Sequence, residues 1–306
     1  MMKFANPKND MAFKKIFGNA QKKEILISFL NAVLDLQGDH TIADIEILDP
    51  FQAPKIDILK STLLDVRARD QRGVTFIVER QVERLRALRK RFTYYAAKTD
   101  AGQIQRGEDY PRLNQVIFVG VLDFVEFDGD DYLSRHLVLN RKTLKQELSD
   151  LEFNFIELPK FTKTEAELQT ILEKWIYFIK HAEDLQMVPT NANEPPLQAA
   201  YEMANQFGWT PEELELYEAR GMRLQDERGL RELAYEEGTQ AGMQAGLQRG
   251  MEQGLQQGLQ RGMEQGLQQG LQQAHRQIAQ AMHVQGLAPA LIAQLTGLSL
   301  DEIAAL

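Results

Sequence analysis

The chain has no cysteine, which excludes disulfides, thiolate metal sites and cysteine nucleophiles. That absence fits a reducing compartment, and the cytoplasm is the expected location. No uninterrupted apolar run is long enough to span a bilayer, and Met1-Met2-Lys3-Phe4-Ala5-Asn6-Pro7-Lys8 lacks the apolar core of a signal peptide. No membrane partner is expected. Positive charge is also short. The 35 Lys and Arg residues face 44 Asp and Glu, and the net −9 argues against a whole surface built for polyanions. His40, His136, His181, His275 and His283 show no metal-ligand spacing, and there is no P-loop, dinucleotide fingerprint or nucleophile elbow. What remains is 306 residues of ordinary globular composition, enough for one large domain or two modest ones.

The most informative stretch runs from Leu64 to Gln81, where β-branched and apolar flanks surround Gln71-Arg72-Gly73. That triplet reads as a three-residue hairpin turn, with Gly73 in the left-handed conformation that closes such turns. Closing the hairpin there sets Asp70 against Val74 and Asp65 against Glu79. Alternation puts Asp65, Ile77, Glu79 and Gln81 on one face and Leu64, Val66, Ala68, Phe76 and Val78 on the other, apolar one. Two carboxylates facing across adjacent strands repel unless one is protonated or a cation bridges them. Hard oxygen ligands suit Mg²⁺ or Mn²⁺. The plainer alternative is a solvated pair with no metal.

The hairpin leads into a basic run: Arg80, Arg84, Arg86, Arg89, Lys90 and Arg91, with Glu83 the only acid among them. It reads either as a solvated helix face or as a phosphate-contacting helix beside the site. Helical spacing predicts helices over 8–17, 22–36 and about 82–106, the last with Leu85, Leu88, Phe92, Tyr95 and Ala96 on one stripe. Val116 to Leu122 is a continuous apolar run, as in a central strand buried on both faces. Further strands are expected at 132–139 and 154–158 and a helix at 164–182, giving a mixed sheet flanked by helices.

Residues 188–196 read as a loop, followed by helices at about 197–206 and 211–234, the second weakened by Gly221 and Gly229. Then glycine recurs at every fourth position from Gly238 to Gly270, each from Gly242 onward followed by Met or Leu. At ~100° per residue each step of four overshoots a full turn by ~40°, so the stripe winds right-handedly. The nine glycines cost roughly 7–9 kcal/mol of helix propensity relative to alanine. Either a partner covers the Met/Leu stripe or the segment is dynamic, and self-association through it is expected. Short helices follow at about 274–285, 289–296 and 300–306. Within them, Leu287 to Ile303 resembles a helix–turn–helix fragment with a Ser299/Glu302 capping box, but the tail lacks a basic recognition face, which leaves DNA contact and a packing or oligomerisation role both open.

An Asp on one strand and Glu-x-Gln on the next resembles the PD-(D/E)XK nuclease core. More closely, the chain resembles the Rpn group of recombination-promoting nucleases, also labelled PD-(D/E)XK family transposases. The likeness is carried by Asn9-Asp10-Met11-Ala12-Phe13-Lys14-Lys15-Ile16-Phe17-Gly18, Leu64-Asp65-Val66, Val78-Glu79-Arg80-Gln81, Tyr94-Tyr95 with Lys98, Gly107-Glu108-Asp109-Tyr110, and 116–124. It implies an α/β restriction-endonuclease-like domain at 1–187, a linker with helices at 188–237, a Gly-xxx-Gly repeat helix at 238–273 and a small helical tail at 274–306. It implies a metal-dependent DNA endonuclease in recombination, mobile-element biology or defence; the alternative is an inactive nuclease fold that acts as an oligomerising protein. The implied site is Asp65 and Glu79 with the backbone carbonyl of Arg80 holding Mg²⁺ or Mn²⁺, and Gln81 where many relatives carry Lys. Asp10 is either a further ligand, direct or through water, or a helix N-cap. Tyr95 is expected to pack and Lys98 to face the site.

Overall fold

The computed structural model describes residues 2–52, 62–104 and 108–306. The expected helix end at Arg106, and Gly107, lie outside the described residues. In chain order the described elements of the first part are α1 (Asp10–Phe17), α2 (Lys23–Leu34), β1 (Ile45–Leu48), β2 (Phe51–Gln52), β3 (Thr62–Leu63), β4 (Val66–Asp70), β5 (Thr75–Gln81) and α3 (Leu88–Ala101). Then come β6 (Val116–Leu122), β7 (Leu133–Leu137), β8 (Leu151–Glu157), α4 (Ile171–His181), α5 (Pro195–Ala204), α6 (Pro211–Val284), α7 (Pro289–Thr296) and α8 (Leu300–Ala304). The chain forms two compact units, Met1–Gln225 and Asp226–Leu306, and α6 contributes to both.

The first unit is built on a mixed six-stranded sheet of order β1-β4-β5-β6-β8-β7, with β5, β6 and β8 parallel and the outer pairings antiparallel. The β4–β5 register sets Val66 opposite Val78 and Arg69 opposite Thr75, and the turn closes with Gly73 at φ +90°. Strand β6 is buried on both sides, because side chains alternate between two separate cores. Ile117, Val119 and Val121 join Val66, Ala68, Phe76 and Val78 beneath the α1, α2, α4 and α5 helices, where Phe13, Phe17, Phe29 and Trp175 pack. Val116, Phe118 and Leu122 join Ile77 and Phe155 under α3, against Leu88, Phe92 and Ala96.

Several expectations are corrected here. Helix α3 begins at Leu88 rather than near 82, because Ala87 sits at φ +62° and breaks the helical path; Leu85 is exposed in the preceding segment. Leu64 lies in the α3-side core with Ile77, not with Val66. A bend at Asp65 interrupts the strand alternation, so parity cannot be counted through it. Ile77, expected on a polar face, is fully buried there. Strand β8 starts earlier and β7 is shorter than the sequence suggested. Helix α4 starts at Ile171, where Thr170 and Glu173 form a capping box; residues 165–167 form a separate short turn with a box of their own. Gly221 and Gly229 do not interrupt α6, and the repeat lies inside it.

In the second unit Ala279, Ile292 and Ile303 form a small core that holds α7 and α8 to the end of α6. Gly297, at φ +73°, turns the chain between them, and Ser299 caps α8 with Glu302. No helix among the described residues is long and apolar enough to cross a membrane.

Gly120 sits between Glu79 and Phe155 in one row across the sheet, and a Cβ there would lie 2.6 Å from the Phe155 ring. Gly120→Ala should therefore destabilise the domain by about 1–3 kcal/mol in urea unfolding. Phe155→Leu in that background should recover part of the loss. Unchanged stability of Gly120→Ala would contradict the packing.

Candidate active site

The β4–β5 hairpin brings Asp65 and Glu79 together at the end where β4 gives way to the bend. The β4–β5 register, continued by one residue, makes them direct partners. Each carboxylate is fixed by a backbone amide from the opposite strand. The Asp65 N–H donates to Glu79 Oε1 at 2.9 Å, and the Arg80 N–H donates to Asp65 Oδ2 at 2.8 Å. The backbone thus replaces its missing ladder bonds with bonds to two acids. An extended residue projects its N–H and C=O to the same side, so the Arg80 carbonyl points to the Asp65 edge as well.

Glu79 is buried at 5% exposed, and the Asp65 side chain is 12% exposed. Burial, reinforced by the Asp65 charge, pushes the Glu79 carboxyl up to about 8. Burial also raises Asp65, against the pull of the Arg80 charge and amide. Two carboxylates and a backbone carbonyl are the oxygen donors that a hard divalent cation takes. Among the described residues no cluster of three or more His, Asp or Glu side chains forms a ready-made metal cage.

Asp10 does not cap α1; the Asn9 side chain does, accepting from the Met11 N–H. Asp10 instead faces Lys14 at 3.0 Å and Arg220 at 3.6 Å, and Lys14 reaches on to Asp65 at 3.8 Å. Burial works against ionisation of Asp10, but the bond and charge of Lys14 outweigh it and hold the carboxyl below its ordinary value. Lys14 therefore links Asp10 to the pair. Sequence reasoning quoted Lys14 within a motif without giving it a role; the signal was its i,i+4 spacing from Asp10.

Gln81 is held at both ends. Its Nε2 donates to the Glu83 carbonyl at 3.0 Å, and its Oε1 accepts from Arg91 Nη2. Arg91 lies one turn before Tyr95, with its guanidinium 5.6 Å from the ring centroid. Burial raises the Tyr95 hydroxyl pKa, and the Glu79 and Asp65 charges add to the effect. Tyr95 is thus near the acids, half-buried, while Tyr94 is exposed. The Arg80 guanidinium donates to the Lys8 carbonyl, and its charge acts on Asp65 and Asp10. Elsewhere in the basic run, Arg84 and Arg89 both pair with Glu126, at 2.8 and 2.7 Å. A cavity of about 770 Å³ between α2 and the start of α4 is lined by Glu24, Asp35 and Arg135, but not by the acidic pair.

The profile of the PD-(D/E)XK nuclease family transposases matches residues 7–233, which include every residue of this site. The chain belongs to this family. Residues 272–306 match the Rpn/YhgA-like nuclease family C-terminal HTH domain, the unit built on Ala279, Ile292 and Ile303. No curated protein and no solved structure matches the chain. The mixed sheet with flanking helices agrees with a PD-(D/E)XK fold, and nucleases of that kind typically use divalent metals. The HTH match points to DNA binding, although 289–306 carry no Lys or Arg.

The raised Glu79 pKa has a defined sign. Below its ordinary value of 4.5 the carboxyl is protonated folded and unfolded, and between there and about 8 only the folded state keeps the proton. Its contribution to stability is full below 4.5 and is lost as pH rises through about 8. A cation bound at the pair must displace that proton. Mn²⁺ affinity measured by calorimetry should therefore rise with pH up to about 8 and then level off. Affinity that does not change between pH 6 and 8 would contradict this, since ~100-fold in proton concentration is then crossed without effect.

Proposed function

We propose that the chain is a metal-dependent DNA endonuclease that hydrolyses phosphodiester bonds, with Asp65, Glu79 and the Arg80 carbonyl holding Mg²⁺ or Mn²⁺. The observation that carries the reading is the buried, facing pair of carboxylates, each fixed by the other strand's backbone. A cation bound there supplies Lewis acidity toward a phosphoryl oxygen and lowers the pKa of water. The protein's own contribution is positional. Glu79 is locked by the Asp65 amide, Asp65 by the Arg80 amide, and Lys14 couples the pair to Asp10, which would serve as a further ligand or hold bound water.

DNA would meet Arg86 and Lys90, which are exposed on the segment after β5, while Arg84 and Arg89 are tied to Glu126. These exposed cations would contact backbone phosphates without reading sequence. The activity suits recombination, mobile-element biology or defence. The repeat supports assembly as a homo-oligomer. Its Met and Leu residues, Met243 to Leu271, are 53–78% exposed, and a Cβ at any of its glycines would meet nothing within 4 Å. The unit itself neither covers the apolar row nor needs the glycines.

With Mg²⁺, the full chain should nick plasmid DNA, and Asp65→Ala or Glu79→Ala should bring cleavage to background while the fold persists. Cleavage that survives either change would remove the site assignment, and a wild type that never cleaves would favour the inactive, oligomerising reading. Deleting residues 238–271 should lower the oligomeric state seen by light scattering; identical states would remove the assembly role.

A further inference from the structure

Gln81 is neutral where a nuclease needs positive charge. Attack of water on a phosphodiester forms one P–O bond and breaks another. The leaving sugar oxygen takes the bonding electron pair and the proton that the water gives up. Negative charge builds on the phosphoryl oxygens meanwhile, and an amide stabilises it less than a cation does. Gln81 is also already in use, with one donor bound to the Glu83 carbonyl and one acceptor position filled by Arg91.

Arg91 has what Gln81 lacks. It stands on α3, faces the same side of the sheet as Glu79, and its charge acts on that carboxylate. Its place is set by the Gln81 bond and by the Tyr95 ring. Its Nε, like those of Arg67 and Arg80, is buried with no hydrogen-bond partner, and in Arg91 this group lies beside the Gln81 contact. The side chain as a whole is only half-buried. Two other cations near the pair already have partners: Lys14 is bound to Asp10 and Asp65, and Arg80 donates to the Lys8 carbonyl while its charge acts on Asp65. A guanidinium also presents a planar fork that matches two phosphate oxygens.

We propose that Arg91 is the cation that binds the scissile phosphate, and that Gln81 is a positioning residue that holds its guanidinium beside the carboxylate pair. This rests on the phosphodiesterase reading above. The role of a strand lysine is thereby divided between two elements, an amide on β5 and a charge on α3.

The test uses the full chain with Arg91→Met, Arg91→Lys and the double change Gln81→Lys with Arg91→Met. Cleavage is measured with Mg²⁺, binding to a DNA duplex with Ca²⁺ in its place, and thermal unfolding on each variant. Arg91→Met should lose roughly 10²–10³ in kcat without a matching fall in Tm. Arg91→Lys should retain more activity than Arg91→Met, and Gln81→Lys should restore part of the rate in the Arg91→Met background. Duplex affinity should fall about tenfold in Arg91→Met, the loss of one charge-assisted contact. Cleavage by Arg91→Met at the wild-type rate overturns the proposal, as does a loss that follows Tm and is not restored by Gln81→Lys. A wild type that fails to cleave defeats the nuclease reading instead. Arg91 is then decided by the duplex affinities, and equal values for wild type and Arg91→Met overturn it.

Discussion

The constraint on which the site depends is the register of one hairpin. Gly73 permits a turn at φ +90°, and the pairing it fixes carries Asp65 to Glu79 with no freedom to slip, because a one-residue shift would turn Val66, Ala68, Phe76 and Val78 out of the core. Once the register is fixed, two acids must face each other across adjacent strands, with Glu79 buried and Asp65 12% exposed. The fold meets this in part. It donates two backbone amides, sets Lys14 against one acid and brings the Arg91 charge to bear on the other. These contacts leave Glu79 with a pKa near 8, so the pair remains short of positive charge at neutral pH. A buried polar network left incomplete within the protein is where an outside ion or substrate group fits.

The rest of the first unit keeps that hairpin rigid. Strand β5 lies between β4 and β6, and the two cores press on it from opposite faces. Gly120 beside Glu79 carries no side chain, and the Phe155 ring fills the space on its far side. Helix α3 supplies both the hydrophobic lid, through Leu88, Phe92 and Ala96, and the polar residues Arg91 and Tyr95 that face the acids. One amphipathic helix therefore closes the core and furnishes the site.

Much of this was legible in the sequence because it rests on strand parity and turn chemistry. The period of two, with one glycine, fixed the pairing of Asp65 with Glu79. The burial of β6 on both faces followed from an unbroken apolar run. Parity failed where the chain departs from a strand: the bend at Asp65 sends Leu64 into the other core. Helix spacing failed where a single backbone angle decides, at Ala87, which delays α3. Strand β1 carries no clear signal of its own; Ile45 is buried and Glu46 exposed, and pairing with β4 makes it a strand. Arg91 was hidden inside a run of six basic residues whose members have different fates, two on Glu126, one on Gln81 and one on a backbone carbonyl. Those fates are tertiary. The glycine repeat was legible as a pattern, and a Cβ added at any of its nine glycines would meet nothing within 4 Å.

The central claim is that the protein alone cannot hold Asp65 and Glu79 both ionised without cost, and that a cation reconciles them. Thermal unfolding of Asp65→Asn at about pH 9, where Glu79 is ionised, with and without Mg²⁺, tests this most directly and requires no substrate. Asparagine keeps an acceptor for the Arg80 amide but removes the second charge. The account predicts a Tm above wild type without metal, and loss of the increase that Mg²⁺ gives the wild type. A variant with a lower Tm than wild type and an undiminished response to Mg²⁺ would contradict it.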